Sequence, residues 1–270
     1  AGLSDAELAQ VLPQNNGTGV SVGEEELESM EVGFKSYFLD GRGYLAVALY
    51  KMKIENLHTS TFALSYTDDD GAAQNITGSF VSDGASVDMG GVEVEGSVLL
   101  NENWSLGFTY AQNNSEFGND FFSSQAFDLL GDATLAAGKP FSRSPVNSGS
   151  LSLDYKRNMN ANWDLFARGD VIYTGKMYAS QANITHTGDS TRINLRFGFS
   201  SDDTTVELYC LNCTDDDTPK SLQAMFDFSG ISGGFSDVPA GIGGARALGV
   251  ALADKPLVGI RASYAFGGDR

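Results

Sequence analysis

A two-residue period in hydropathy recurs along this 270-residue chain and constrains its fold more than any single motif does. Trp163, Leu165, Ala167, Val171 and Tyr173 share one parity, while Asp164, Arg168, Asp170 and Lys176 share the other. Successive side chains of an extended strand point to opposite faces, so such a segment carries one apolar and one wet face. Ile193, Leu195, Phe197 and Phe199 alternate in the same way with Arg192, Asn194 and Arg196, as do Trp104, Leu106, Phe108 and Tyr110 with Ser105, Gly107 and Thr109. Further cases are Leu151, Leu153 and Tyr155 against Ser152, Asp154 and Lys156, and Val92, Val94 and Val98 against Glu93, Glu95 and Ser97. Met30, Val32, Phe34 and Phe38 oppose Glu31, Lys35 and Tyr37, whereas residues 44–50 are apolar on both parities. With 206–213 and 258–266 the reading is all-β, about nine strands, most of them near the roughly 9–11 residues that a tilted membrane strand needs.

The connections alternate as regularly as the strands. Residues 40–43, 101–103, 158–162 and 201–203 are tight turns rich in Gly, Asn and Asp. The intervening connections, 67–75, 114–147, 180–189 and 214–256, are longer and hold glycine, serine and acidic residues. Short turns at one end and long loops at the other are the pattern of an antiparallel transmembrane β-barrel, with the long loops outside the cell. On that reading the first and last strands both run inward, and residues 1–25 form an extracellular segment.

Composition narrows the function. A net charge of −18 argues against nucleic acid as a partner. No run approaches the roughly 20 apolar residues of a spanning helix, but closed barrels also satisfy their backbone in a membrane and leave only this dispersed alternation. The opening residues, Ala1 to Glu7, hold no basic or apolar signal region, so a secretory signal is expected to have been removed or to lie upstream. Cys210 and Cys213 are the only cysteines. In one regular strand they would lie about 10 Å apart on opposite faces, beyond disulfide reach, and they are expected to be unpaired. His58 and His186, the only histidines, lack any nucleophile-elbow pattern, and no enzyme activity, metal site or cofactor is expected. Asp68 to Asp70 and Asp215 to Asp217 read as solvated acidic loops or as calcium-binding oxygens, without EF-hand spacing. The glycine-rich stretch 230–244 reads as an external loop.

Several segments resemble one family. Residues 24–36, EEELESMEVGFKS, followed by Leu39-Asp40-Gly41-Arg42, are similar to the segment in which TonB-dependent receptors carry E-x-x-x-x-E-x-G-x-K and then D-G-R. Gly91-Val92-Glu93-Val94-Glu95 resembles that family's G-V-E-x-E strand, and Leu211-Asn212-Cys213-Thr214-Asp215 its N-L-T-D. Residues 258–266 resemble the C-terminal strand read by the outer-membrane assembly machinery, with Gly267 to Arg270 as an added tail. The resemblance implies a plug inside a barrel of about 22 strands. Residues 26–266 would then be the C-terminal part of that barrel, with the N-terminal plug and earlier strands expected outside this sequence.

It further implies uptake of a scarce nutrient such as a ferric siderophore, driven through TonB across the outer membrane of a Gram-negative bacterium. The implied partners are outer-membrane lipid and lipopolysaccharide, TonB through the plug, a small nutrient ligand and the remaining part of the barrel. Arg168, Arg192 and Arg196 share the wet parity, and are the candidate lumen residues for an anionic ligand. A passive pore or structural barrel without a plug is the alternative reading.

Overall fold

A computed structural model describes residues 23–119, 136–226 and 246–266, together with Ser4, Ala6, Gln10 and Phe121. Its strands are β1 (Glu26–Phe38), β2 (Gly43–Thr67), β3 (Ala73–Leu99), β4 (Trp104–Phe117), β5 (Asn147–Asn160), β6 (Trp163–Thr174), β7 (Ser190–Ser200), β8 (Thr204–Leu211), β9 (Ser221–Phe226), β10 (Arg246–Ala251) and β11 (Leu257–Tyr264). Nine of them form one antiparallel sheet in the order β1-β2-β3-β4-β5-β6-β7-β8-β11, and β9 and β10 form a separate hairpin. The sheet is open: among the described residues β1 is bonded only to β2, and β11 only to β8.

The register carries the sequence parity across strands. Leu153, Gly169, Leu195, Cys210 and Val258 form one cross-strand row, and Tyr155, Ala167, Phe197, Leu208 and Ile260 form the next. All lie on one face. The opposite face carries Asp154, Arg168, Arg196 and Tyr209 in a single row. The apolar face is left open, with Met30, Val32, Phe34, Leu195, Phe197, Leu208, Val258 and Ile260 all exposed. Exposed apolar side chains along a whole sheet face are unusual on a soluble monomer and fit the outer wall of a membrane barrel. Trp163 and Tyr173 bound that face on β6. Ten residue steps of about 3.3 Å at a tilt of about 40° span roughly 25 Å, the height of the apolar band of an outer-membrane barrel.

Side-chain acceptors close the short turns. Asn101 Oδ1 accepts from the backbone N–H groups of Asn103 and Trp104, and Asn160 Oδ1 does the same for Asn162 and Trp163. Ser201 Oγ accepts from the Thr204 N–H. In the β1–β2 turn Leu39, Asp40 and Gly41 all take positive φ; among these three only glycine does so without steric cost. The apolar face at this end is aromatic. The Trp104 and Tyr155 rings lie 4.7 Å apart, and the Tyr264 and Phe266 rings likewise 4.7 Å.

At the other end the structure revises three expectations. The connection expected over 67–75 is a tight turn on a long ribbon, because β2 and β3 run 25 and 27 residues. The Asp68 carboxylate builds that turn by accepting from the N–H groups of Asp70 and Ala72 and from the Gln74 amide. The connection expected over 214–256 contains the β9–β10 hairpin. Cys210 and Cys213 are joined in a disulfide, contrary to expectation. The reason is local: β8 ends at Leu211, Asn212 adopts φ 49°, and the departure from extended backbone brings the two Cα atoms to 5.6 Å. The glycine-rich stretch 230–244, the tail 267–270 and most of residues 1–25 lie outside the described residues.

Candidate functional site

The polar face between β5 and β11 is where the expected lumen arginines fall, and the register brings all three together. Arg168 and Arg196 are directly opposite each other on β6 and β7, and Arg192 lies two pleat repeats, roughly 13 Å, further toward the long-connection end, opposite Ile172. Like charges directly opposite on a sheet repel unless something neutralises one of them. Arg168 is neutralised twice: Nη1 lies 3.0 Å from Asp154 Oδ1 and Nη2 2.8 Å from Asp170 Oδ1. Among the described residues neither Arg192 nor Arg196 forms an ion pair with a carboxylate, although Lys220 and, more weakly, Arg192 hold the Asp254 carboxyl below its ordinary pKa, and Arg192 Nε is buried without a hydrogen-bond acceptor. A buried donor without an acceptor is costly, so it marks a place where an acceptor is to be expected.

Sequence parity also places a residue that had not been singled out. Arg261 falls on the polar parity of β11, where its Nη1 donates to Glu207 Oε1 at 2.9 Å and its guanidinium lies 5.3 Å from the Tyr209 ring centre. The face carries both signs of charge, with Asp154, Asp170 and Glu207 among the arginines and Lys35 on the parity of Glu31. Arginines line β6, β7 and β11, whereas Glu31, Glu93 and Glu95 line β1 and β3 at the far side, with the Tyr44 hydroxyl donating to Glu95 at 3.0 Å.

The long connections interlock above that face. Phe121, Ala136 and Phe141 from the β4–β5 connection pack on Val87 and Phe117, both on the polar face, with Phe117 and Phe121 stacked at 4.0 Å. Lys139 Nζ donates to the Ala182 carbonyl at 2.8 Å and the Asn183 amide donates to the Pro140 carbonyl at 3.2 Å, which ties this connection to the next. Asn212, only 3% exposed, donates to the Asp216 and Asp254 carbonyls and accepts from the Asp216 N–H. This asparagine is the one in the N-L-T-D-like segment, and its role is to turn the chain at the rim. Asp216 then reaches back to β7, accepting from the Ser190 hydroxyl and the Thr191 N–H. Partial burial raises the pKa of the Asp216 carboxyl, but bonds from Thr218, Ser190 and Thr191 overcome it and hold the pKa at about 2.

The remaining candidates have ordinary partners. His58 Nε2 lies 2.8 Å from the Gly23 carbonyl and His186 Nδ1 2.7 Å from the Thr187 carbonyl. Among the described residues no group of three acidic, histidine or cysteine side chains gathers as a metal site.

The profile of the family described as TonB dependent receptor-like, beta-barrel matches residues 4–213. A comparison with curated protein sequences returns no match. Solved structures match with a TM-score of 0.63 and 16% identity for the ferric yersiniabactin uptake receptor FyuA from Yersinia pestis, over 89% of this chain and 30% of that one. The siderophore receptor PiuA from Acinetobacter baumannii gives a TM-score of 0.61 at 16% identity, over 88% of this chain and 28% of that one. The ferric-catecholate import receptor Fiu from E. coli K12 gives 0.57 at 16% identity, over 93% and 31%. The chain thus spans less than a third of the length of these receptors.

Proposed function

The chain belongs to the TonB-dependent receptor-like β-barrel family, and from that premise we propose that residues 26–266 form the C-terminal wall of an outer-membrane importer in a Gram-negative bacterium. The family and its fold are those of transport receptors rather than enzymes. In this reading the long connections are extracellular, the short turns periplasmic, and the polar face lines the lumen. TonB supplies the energy for transport through a plug encoded elsewhere in the protein.

The observation that carries the reading is the division of the sheet into a predominantly apolar face and a polar face on which Arg192 and Arg196 have no ion pair among the described residues. A structural sheet in water has no use for the first, and the second suits an anionic cargo such as a ferric siderophore. Transport itself is the test. Cells expressing the intact protein should accumulate a labelled anionic siderophore complex, and deletion of tonB or loss of the proton gradient should abolish that accumulation. Uptake that rises linearly with concentration and ignores TonB would identify a passive pore instead.

A further inference from the structure

The apolar face contains one uncovered hollow. Gly169 stands between Leu153 and Leu195 in one row, and Ala167 between Tyr155 and Phe197 in the next. A methyl group built on Gly169 meets only Leu195 Cδ2, at 3.4 Å. Gly96 on the same face is different, because the Phe108 ring comes within 2.6 Å of such a methyl and already fills the space. The two small residues among larger ones leave an apolar hollow of about 520 Å³.

Arg168 and Arg196 border the hollow but belong to the opposite parity, and the cation on the parity of the hollow itself lies just outside its lining. Arg157 lies opposite Leu165, so it occupies the apolar parity two residues beyond Tyr155 toward the short turns. It is exposed, and among the described residues it has no ion pair or hydrogen bond from its side chain. A guanidinium on a hydrocarbon-facing wall is expensive unless its long stem carries it to an anion or water at the interface. Trp163 and the Trp104–Tyr155 pair place the interface within that reach.

We propose that Arg157 and the hollow form a binding site for one glycerophospholipid of the periplasmic leaflet. The lipid phosphate is held by the guanidinium, and an acyl chain lies over Ala167 and Gly169 between Leu153 and Phe197. Arginine suits a phosphate because its planar fork donates two parallel hydrogen bonds. A lipid fits better than a second copy of this chain, since a two-fold partner would present the same cation rather than its complement. The site rests on reading this face as membrane-facing.

Native mass spectrometry of the intact receptor in detergent micelles, with phosphatidylglycerol or a diacylglycerol of the same chains, tests the site. One phosphatidylglycerol should be retained per protein, and diacylglycerol should not. Arg157→Gln, on an exposed side chain, and Gly169→Leu, which fills the hollow, should each lower retention about tenfold, the loss expected for a charge-assisted contact. Equal retention by the parent and Arg157→Gln, equal retention of diacylglycerol, or a dimer mass without lipid would overturn the proposal. An intact protein that stays soluble as a β-rich monomer without detergent would overturn the membrane reading together with the site.

Discussion

The face a residue occupies decides what a substitution costs here. Leu195 lies on the apolar face opposite Gly169, near the middle of the band bounded by Trp163 and Tyr173. Leu195→Lys should therefore destabilise the protein by about 2–4 kcal/mol in bilayers, whereas Leu165→Lys, beside Arg157 near the short turns, should cost only about 0–1 kcal/mol. Unfolding from lipid vesicles by denaturant measures both, and Arg196→Leu on the polar face should fall well below the first. The arginines separate in a second way. Arg168 is already neutralised by Asp154 and Asp170, so Arg168→Gln should change ligand affinity little. Arg192→Gln and Arg196→Gln should each weaken binding of an anionic complex about tenfold or more, the effect of one charge-assisted hydrogen bond lost. Equilibrium binding of a ferric siderophore to the three variants makes the comparison.

Asp216 offers a pH signature at the same scale. Its folded pKa is depressed to about 2, below the ordinary carboxylate range, so its contribution is present above that range and is lost as the pH falls through about 2. The stability difference between the parent and Asp216→Asn should be full above about pH 5, shrink as the pH falls through about 4 toward 2, and vanish only below about pH 2, as read from denaturant unfolding across that range. A difference that persists unchanged at pH 2 would mean the carboxylate charge has no part in anchoring this rim.

At the scale of elements, the β2–β3 ribbon is the feature most separable from the wall. β1 pairs with β2 only as far as Glu55, and β4 pairs with β3 only from Val87, so among the described residues the ribbon beyond them has two strands. Its register slips between Ile54 and Leu57, where Asn56 takes φ 55°. A two-stranded hairpin contributes little stability by itself. Replacing residues 60–81 with a tight turn that joins the Thr59–Ser82 pair should change unfolding in lipid by less than about 1 kcal/mol. A large loss would show that the ribbon holds the wall together.

The elements also show what the sequence made legible. Alternation located all nine wall strands and the shared polar parity of Arg168, Arg192 and Arg196, because one face of each strand is apolar and the other polar at every step. It understated β2 and β3, whose ribbon beyond the apolar band has no lipid-facing requirement to impose a strict period. It missed the β9–β10 hairpin, where six-residue strands within a long connection leave too short a pattern. The disulfide was missed because a regular strand was assumed through Cys213, and the positive φ of Asn212 is a feature that asparagine permits without announcing it. Arg157 and Arg261 were readable from parity alone, the first as an exception on the apolar side and the second as a member of the polar side.

For the whole molecule the decisive fact is the open sheet. β1 and β11 each present one unpaired edge, and a strand edge in hydrocarbon leaves N–H and C=O groups without partners at several kcal/mol apiece. On the function proposed above, both edges would lie against further strands of the barrel, β1 beside a preceding strand and β11 beside the first. The shared direction of β1 and β11, each entering from the long-connection end, is what membership in a larger antiparallel ring requires of both. Cryo-electron microscopy of the intact protein extracted from outer membranes is the most direct test. The predicted result is a closed barrel around a plug, in which Glu26–Phe38 and Leu257–Tyr264 are each hydrogen-bonded to a strand outside residues 1–270. A barrel closed by β1 pairing with β11, or a soluble sandwich with neither edge covered, would contradict it.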